Sequence, residues 1–127
     1  MPELPEVETV RLGLQEFLPG QTIKSIKADW PKSLPVSDGL IKSGLIGSKI
    51  DSVQRRGKLI IMPLSSGYSL LVHLKMTGQL VYRPSRGEGF GGGHPNDSLI
   101  DKLPDKSTRV VIELTNGTLF FNDQRKF

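Results

Sequence analysis

The chain has 127 residues, a length that fits one domain with a buried core of its own. Because the chain has no cysteine, we exclude a disulfide framework, a thiolate zinc site and thiol chemistry within these residues. Its only two histidines, His73 and His94, are far apart in the sequence, so we expect no metal site. A net charge of +4 favours a polyanionic partner such as nucleic acid. The sequence shows neither an apolar run long enough to span a membrane nor a signal peptide, which predicts a cytoplasmic protein without a membrane partner.

The first eighteen residues predict one amphipathic helix over Pro2–Leu18. Its apolar positions recur three or four residues apart, at Val7, Val10, Leu14 and Leu18. Glutamates in the first turns suit the positive end of the helix dipole, and a proline is tolerated there because first-turn amides lack an intrahelical partner. Pro19-Gly20 is expected to end the helix.

The remainder of the chain predicts short strands separated by turn residues. Alternating apolar positions indicate strands over 22–28, 49–54, 59–64, 68–74, 79–82, 109–114 and 118–122, with hairpin turns at 65–67 and 115–117. A short helix is a candidate between 38 and 47, and the Gly- and Pro-rich stretch 83–106 predicts a flexible surface loop. We therefore expect a mainly β protein with some α structure, an antiparallel β-sandwich of about eight strands with the N-terminal helix and a second short helix.

The N-terminus is a candidate for chemistry. Removal of Met1 would leave Pro2 with a free secondary amine, which is partly neutral at pH 7 and can attack a sugar carbon to form an iminium ion. Glu3 lies beside it in the chain and could donate and accept protons. The alternative is that Met-Pro is an ordinary start and that the carboxylates only cap a helix.

Four segments carry a resemblance to a known family. Met-Pro-Glu-Leu-Pro-Glu-Val-Glu-Thr-Val at positions 1–10 resembles the opening of bacterial formamidopyrimidine-DNA glycosylases. The segments 54–58, 73–78 and 122–127 match that family in the same order, so the resemblance covers the chain from end to end. It implies a base-excision repair enzyme that removes oxidised purines, such as 8-oxoguanine and formamidopyrimidines, from duplex DNA and then nicks the abasic site as an AP lyase.

The resemblance assigns roles to four residues near the reacting sugar. Pro2 is implied to attack C1′ and form a Schiff base, and Glu3 to protonate the sugar or base as they separate. Lys58 is implied to hold a phosphate and assist β-elimination; without the motif it would be a solvated lysine of a basic run. Glu6 is expected near the lesion pocket, with an ordinary first-turn helix charge as an equal alternative.

Four further residues are implied to contact DNA. His73 would contact a backbone phosphate, and Met76 would fill the gap that the flipped nucleotide leaves. Arg125 would read the orphaned base and Phe127 would wedge beside it. The alternatives are core packing for His73 and Met76 and a solvated turn for Arg125.

The chain departs from the family pattern in two places. Lys106-Ser107-Thr108-Arg109-Val110 stands where the family usually has Lys-His-x-His-Val, so Ser107 and Arg109 are open candidates to replace the DNA-contacting histidine. The sequence also stops at Phe127, whereas the family continues into a helix–two-turn–helix region and a four-cysteine zinc finger. We therefore expect residues 1–127 to be the N-terminal catalytic domain, and we expect this domain to be a monomer with no cofactor of its own. Its expected partner is damaged double-stranded DNA, on which the domain alone should have weak or no activity.

Three other functions fit parts of the sequence. A catalytically silent β-sandwich could bind nucleic acid or a partner protein, and a retained Met1 would favour it because an acylated proline nitrogen cannot attack. A tautomerase-like enzyme would share only Pro2. Endonuclease VIII-type relatives, which prefer oxidised pyrimidines, usually have glycine where this chain has Leu4.

Overall fold

The computed structural model describes residues 4–28, 38–75, 77–93 and 102–123. Its helices are α1 (Leu4–Gln15) and α2 (Asp38–Leu40), the latter continued by a π-helical turn over Ile41–Leu45. Its strands are β1 (Ile23–Ala28), β2 (Gln54–Arg56), β3 (Leu59–Pro63), β4 (Ser69–His73), β5 (Gln79–Pro84), β6 (Phe90–Gly93), β7 (Thr108–Leu114) and β8 (Gly117–Asn122).

The strands form two antiparallel sheets. One has five strands in the order β1-β7-β8-β5-β6, and the other has three in the order β2-β3-β4. The predicted fold class, an antiparallel β-sandwich with an N-terminal helix and a second short helix, is confirmed. Both predicted hairpin turns are present: β3 and β4 flank 65–67, where Gly67 has a φ of 95°, and β7 and β8 flank Thr115-Asn116.

The hydrophobic core joins α1 to both sheets. The helix buries Val7, Val10 and Leu14 of the predicted stripe. Leu18, the fourth residue of that stripe, is also buried, but the helix ends at Gln15, before the predicted end at Leu18. Alternate residues of β3, Ile60 and Met62, are also fully buried, which is the pattern of a strand with one face on a core. The helix therefore lies against the sandwich by its apolar side and leaves its polar side accessible.

The Gly-rich stretch corrects one prediction. Residues 83–106 were expected to be one surface loop, but Phe90–Gly93 forms β6, which pairs with β5 and packs against α1. A Cβ atom on Gly92 would lie 2.7 Å from Cγ2 of Val10, so glycine lets the helix approach this edge strand closely. Gly92 thus allows close packing of the helix on this strand.

The prediction for residues 49–54 was also wrong in part. Lys49 and Ile50 make only isolated bridges, to Thr22 and Leu64, and the regular strand β2 begins at Gln54. Ile50 and Val53 are nevertheless buried, so the apolar pattern predicted their burial correctly. The same pattern did not predict the strand correctly, because residues 49 and 50 have no continuous hydrogen-bonded neighbour strand.

Candidate functional site

The structure describes three of the predicted site residues. Glu6 is exposed on the first turns of α1, Lys58 is partly buried in the turn between β2 and β3, and His73 is exposed at the end of β4. The predictions for Pro2, Glu3, Met76, Arg125 and Phe127 lie outside the described residues. For these, the structure places the chain segments that flank them.

Lys58 lies in a two-residue hairpin turn. Arg56 and Leu59 pair across its base, and Gly57 has a φ of 58°, a left-handed conformation that favours glycine. The next pair in the sheet joins Leu59 to His73. Lys58 and His73 therefore lie at the same end of the three-stranded sheet, although 15 positions separate them in the sequence.

The orientation of His73 leaves its ring available to a ligand. Its Nδ1 accepts a hydrogen bond of 3.0 Å from the backbone N–H of Lys75, a residue with a φ of 54°. When the imidazole is neutral, this bond puts the ring proton on Nε2 as a donor. The exposed side chain rules out the alternative of a core histidine.

A hydrogen bond connects the turn after β4 with the chain that follows β8. The hydroxyl of Thr77 donates to Oδ1 of Asp123, a residue that is 1% exposed. Thr77 follows Met76, and Asp123 precedes Arg125 by two positions. The two segments that carry the predicted DNA wedges are therefore attached to each other at their bases.

The turn itself needs glycine at position 78. The N–H of Gly78 donates to the carbonyl of Leu74 over 2.8 Å, and a Cβ atom there would collide with that same carbonyl oxygen. A side chain at this position would have to displace the backbone of the turn. This gives a physical reason for the glycine that closes the motif at 73–78.

Buried polar side chains support this end of the five-stranded sheet. Thr108 donates to Oδ1 of Asn122 over 2.8 Å, and Nδ2 of Asn122 donates to Oε1 of Gln79 over 3.1 Å. All three residues are buried. Such a satisfied network holds strands β5, β7 and β8 in one arrangement.

The two candidates for the missing histidine contact are part of the internal structure. Ser107 is buried and its hydroxyl donates to Oδ1 of Asp105 over 2.6 Å. Arg109 is buried and its Nε donates to the carbonyl of Asp123 over 2.8 Å. The side chain of Arg109 and the backbone carbonyl of Ser107, which accepts from the N–H of Asp123 over 2.8 Å, therefore hold the base of the segment after β8, whereas the Ser107 side chain holds the turn before β7.

A charged cluster connects α1 with the Lys58 turn. The carboxylate of Glu8 accepts hydrogen bonds from Nε and Nη2 of Arg11, each over 2.8 Å. Its Oε1 also accepts a hydrogen bond from Nε of Arg55 over 2.8 Å. The hydrogen bonds from Arg11 and Arg55 lower the pKa of Glu8 to about 2, and the same carboxylate raises the pKa of Arg11. No local sequence pattern indicates this cluster, because only the fold brings Arg55 to the helix.

Other kinds of site find no support in the described ranges. Among residues 4–28, 38–75, 77–93 and 102–123, no three His, Asp or Glu side chains form a group that could hold a metal ion. With no cysteine in the sequence, the residues present do not fit a thiolate zinc site. No helix in these ranges is long and apolar enough to cross a bilayer.

Comparison with known proteins identifies the family. The model of the formamidopyrimidine-DNA glycosylase N-terminal domain matches residues 1–127. Formamidopyrimidine-DNA glycosylases of Pelotomaculum thermopropionicum and Lactiplantibacillus plantarum are 42% and 39% identical over 129 and 128 aligned residues. Each alignment covers 100% of this chain and 41% of the relative, so the chain spans well under half of their length.

Solved structures agree with this result. A complex of Lactococcus lactis Fpg with DNA containing an abasic site has a TM-score of 0.78 at 31% identity, covering 99% of this chain and 41% of that one. A structure of MutM with DNA containing carbocyclic 8-oxo-G also has a TM-score of 0.78, at 32% identity, covering 99% of this chain and 42% of that one. The fold thus defines the class of the chain: it is a mainly β domain of the kind found at the N-terminus of DNA glycosylases. It belongs to the formamidopyrimidine-DNA glycosylase family, and the part of the family that it matches is the N-terminal domain.

Proposed function

We propose that this chain carries the catalytic residues of a base-excision repair enzyme that acts on oxidised purines in double-stranded DNA. The observation that supports this most directly is the convergence of Lys58, His73 and the Thr77–Asp123 hydrogen bond at one end of the sandwich. The charge cluster joins the Lys58 turn to α1, the helix that Pro2 and Glu3 precede. The described parts of four separate family motifs therefore lie in one region.

In the proposed reaction, the neutral amine of Pro2 attacks C1′ of the damaged nucleotide. The N–C1′ bond forms as the bond from C1′ to the base breaks; Glu3 protonates the departing base, and its carboxylate then takes up the proton of the substituted amine. Glu3 passes this proton to O4′ as the C1′–O4′ bond breaks, and the lone pair of the proline nitrogen completes the C=N bond of an iminium Schiff base. This iminium acts as an electron sink, so removal of a C2′ proton expels the 3′ phosphate, and a second elimination expels the 5′ phosphate.

The described residues fit supporting roles in that reaction. The ammonium of Lys58 is suited to pair with a phosphate beside the lesion and to assist the first elimination. The Nε2–H of His73 is suited to donate to a backbone phosphate, and the carboxylate of Glu6, exposed on the first turns of α1, is accessible to a flipped base. Thr77, next to Met76, is hydrogen-bonded to Asp123, which precedes Arg125 by two positions. This connection between the two segments suits Met76, Arg125 and Phe127 to fill and read the gap in the duplex.

Borohydride trapping on duplex DNA with one abasic site tests the proposal. A chain shown by intact mass to begin at Pro2 is expected to form a covalent adduct, more slowly than full-length relatives because it spans only part of their length. Acetylation of the Pro2 nitrogen should abolish the adduct, and Lys58→Gln should lower DNA affinity and reduce the salt dependence of binding by about one phosphate contact.

Two results would contradict the proposal. An adduct that survives acetylation would place the nucleophile elsewhere. A folded chain that begins at Pro2, binds the DNA and gives no adduct would support the silent nucleic-acid-binding alternative for this chain. Circular dichroism of every variant supplies the control for folding.

A further inference from the structure

The cluster of Glu8, Arg11 and Arg55 has a geometry that a chance surface ion pair lacks. One carboxylate receives three hydrogen bonds of 2.8 Å, two from the fork of Arg11 and one from Arg55. Glu8 and Arg11 are one helical turn apart on α1, whereas Arg55 comes from β2, 47 positions away. The carboxylate therefore joins two elements that lie far apart in the sequence.

The same cluster extends to the backbone on both sides of β2. Nη1 of Arg11 donates to the carbonyl of Val53 over 3.3 Å, and Nη1 of Arg55 donates to the carbonyl of Gly57 over 3.1 Å. Further along the same helix face, Oε1 of Gln15 accepts from the N–H of Val53 over 2.7 Å. Helix α1 is thus attached to segment 53–57 at points along its length, and a shift of the helix would break several of these bonds.

This attachment lies between the two ends of the proposed reaction centre. Towards the N-terminus, Glu8 is about one helical turn, roughly 6 Å, from the first residue of α1. Towards the C-terminus, Gly57 is followed directly by Lys58. Any rotation or slide of α1 relative to β2 would move the start of α1, which Pro2 and Glu3 directly precede in the chain, relative to the Lys58 turn.

The energetic argument favours a role in geometry over one in stability. The side chains of Glu8, Arg11 and Arg55 are 33%, 24% and 27% exposed, and ion pairs near the surface contribute little to the free energy of folding. Without the carboxylate, however, two guanidinium groups would face each other and repel. Helix and turn would then separate locally while the apolar core beneath α1 remains.

We propose that Glu8 is a positioning residue: its carboxylate, held by Arg11 and Arg55, sets the start of α1 against the Lys58 turn and so aligns the nucleophile with the phosphate-binding lysine. This inference rests on the proposed function. It assigns no contact with DNA to Glu8 itself.

The test compares Glu8→Gln with the wild-type chain and with Glu16→Gln. Glu16 is an exposed glutamate just beyond α1, at the opposite end of the helix, and so supplies the matched control. We expect Glu8→Gln to slow trapping on abasic-site DNA by about tenfold to a hundredfold, the usual effect of a displacement of about 1 Å, with the Kd for DNA changed less than about threefold. Glu16→Gln should trap at the wild-type rate.

A second measurement does not depend on activity. A short amine-to-amine cross-linker, read by peptide mass spectrometry, should join the N-terminal amine to Lys58 in the wild type and in Glu16→Gln, and several-fold less in Glu8→Gln. Arg55→Gln should resemble Glu8→Gln, and the double variant should be no worse than the worse single variant if both act through one ion pair.

The outcomes separate the two proposals. If the wild type forms no adduct, the proposed function fails for this chain, and the cross-linking comparison still decides the role of Glu8. Equal cross-linking of Glu8→Gln and wild type overturns the positioning role even if trapping is slower, and a wild type without this cross-link overturns it as well. If the wild type traps, an unchanged trapping rate in Glu8→Gln also overturns it.

Discussion

Replacing Asn122 by alanine should destabilise the fold markedly. The side chain is 1% exposed, accepts from Thr108 over 2.8 Å and donates to Gln79 over 3.1 Å. Alanine removes both hydrogen bonds and leaves the hydroxyl of Thr108 only a longer contact of 3.5 Å to Oδ1 of Asp105. Each buried bond lost in this way costs about 1–3 kcal/mol, and because Thr108 keeps this weaker acceptor, the expected loss lies somewhat below the sum for two bonds, at about 2–5 kcal/mol.

Urea unfolding followed by far-ultraviolet circular dichroism measures this loss. A domain of this size is expected to have a free energy of unfolding of about 5–15 kcal/mol, so the change is a large fraction of the total. With an m-value of about 2 kcal/mol/M, the midpoint should fall by roughly 1–2.5 M urea at unchanged slope.

Asn116→Ala is the matched control for this prediction. Asn116 lies exposed in the β7–β8 turn, and the bond it makes to Oε1 of Gln21 uses its backbone N–H, which alanine retains. This variant should change stability by less than about 0.5 kcal/mol. A loss below about 1 kcal/mol for Asn122→Ala, or one equal to that of the control, would refute the reasoning that the polar network stabilises this end of the sheet.

Two further predictions follow from the site. Gly78→Ala should displace the turn at 74–78, because its Cβ would collide with the carbonyl of Leu74; we expect weaker binding of abasic-site DNA with the sheets retained by circular dichroism, and unaltered affinity would show that the turn can adapt. The lowered pKa of Glu8 concerns acid stability: folding favours the carboxylate, so its contribution is complete above the ordinary value of 4.5 and is lost as the pH falls towards about 2. The difference in free energy of unfolding between wild type and Glu8→Gln should therefore shrink over that pH range, and parallel pH profiles of the two chains would contradict this.

Local patterns in the sequence were enough for much of the fold. A helix stripe at Val7, Val10 and Leu14 and turn residues at 65–67 and 115–117 specify elements whose decisive interactions lie within a few residues of each other. The family motifs also indicated candidate segments, and two of them lie side by side in the structure, because Leu59, next to Lys58, pairs with His73. The roles of Pro2, Glu3, Met76, Arg125 and Phe127 stay predictions.

Tertiary structure decided the features that depend on distant partners. Phe90–Gly93 is a strand only because β5 offers hydrogen bonds and α1 packs closely on its glycines; locally, glycine favours a loop. The sequence left Arg109 as a candidate DNA contact, whereas in the structure its side chain is buried and donates to the carbonyl of Asp123. The bond between Glu8 and Arg55 likewise joins residues whose proximity no local pattern encodes, because hydrogen bonds and ion pairs act over about 3 Å and only the folded chain decides which groups come that close.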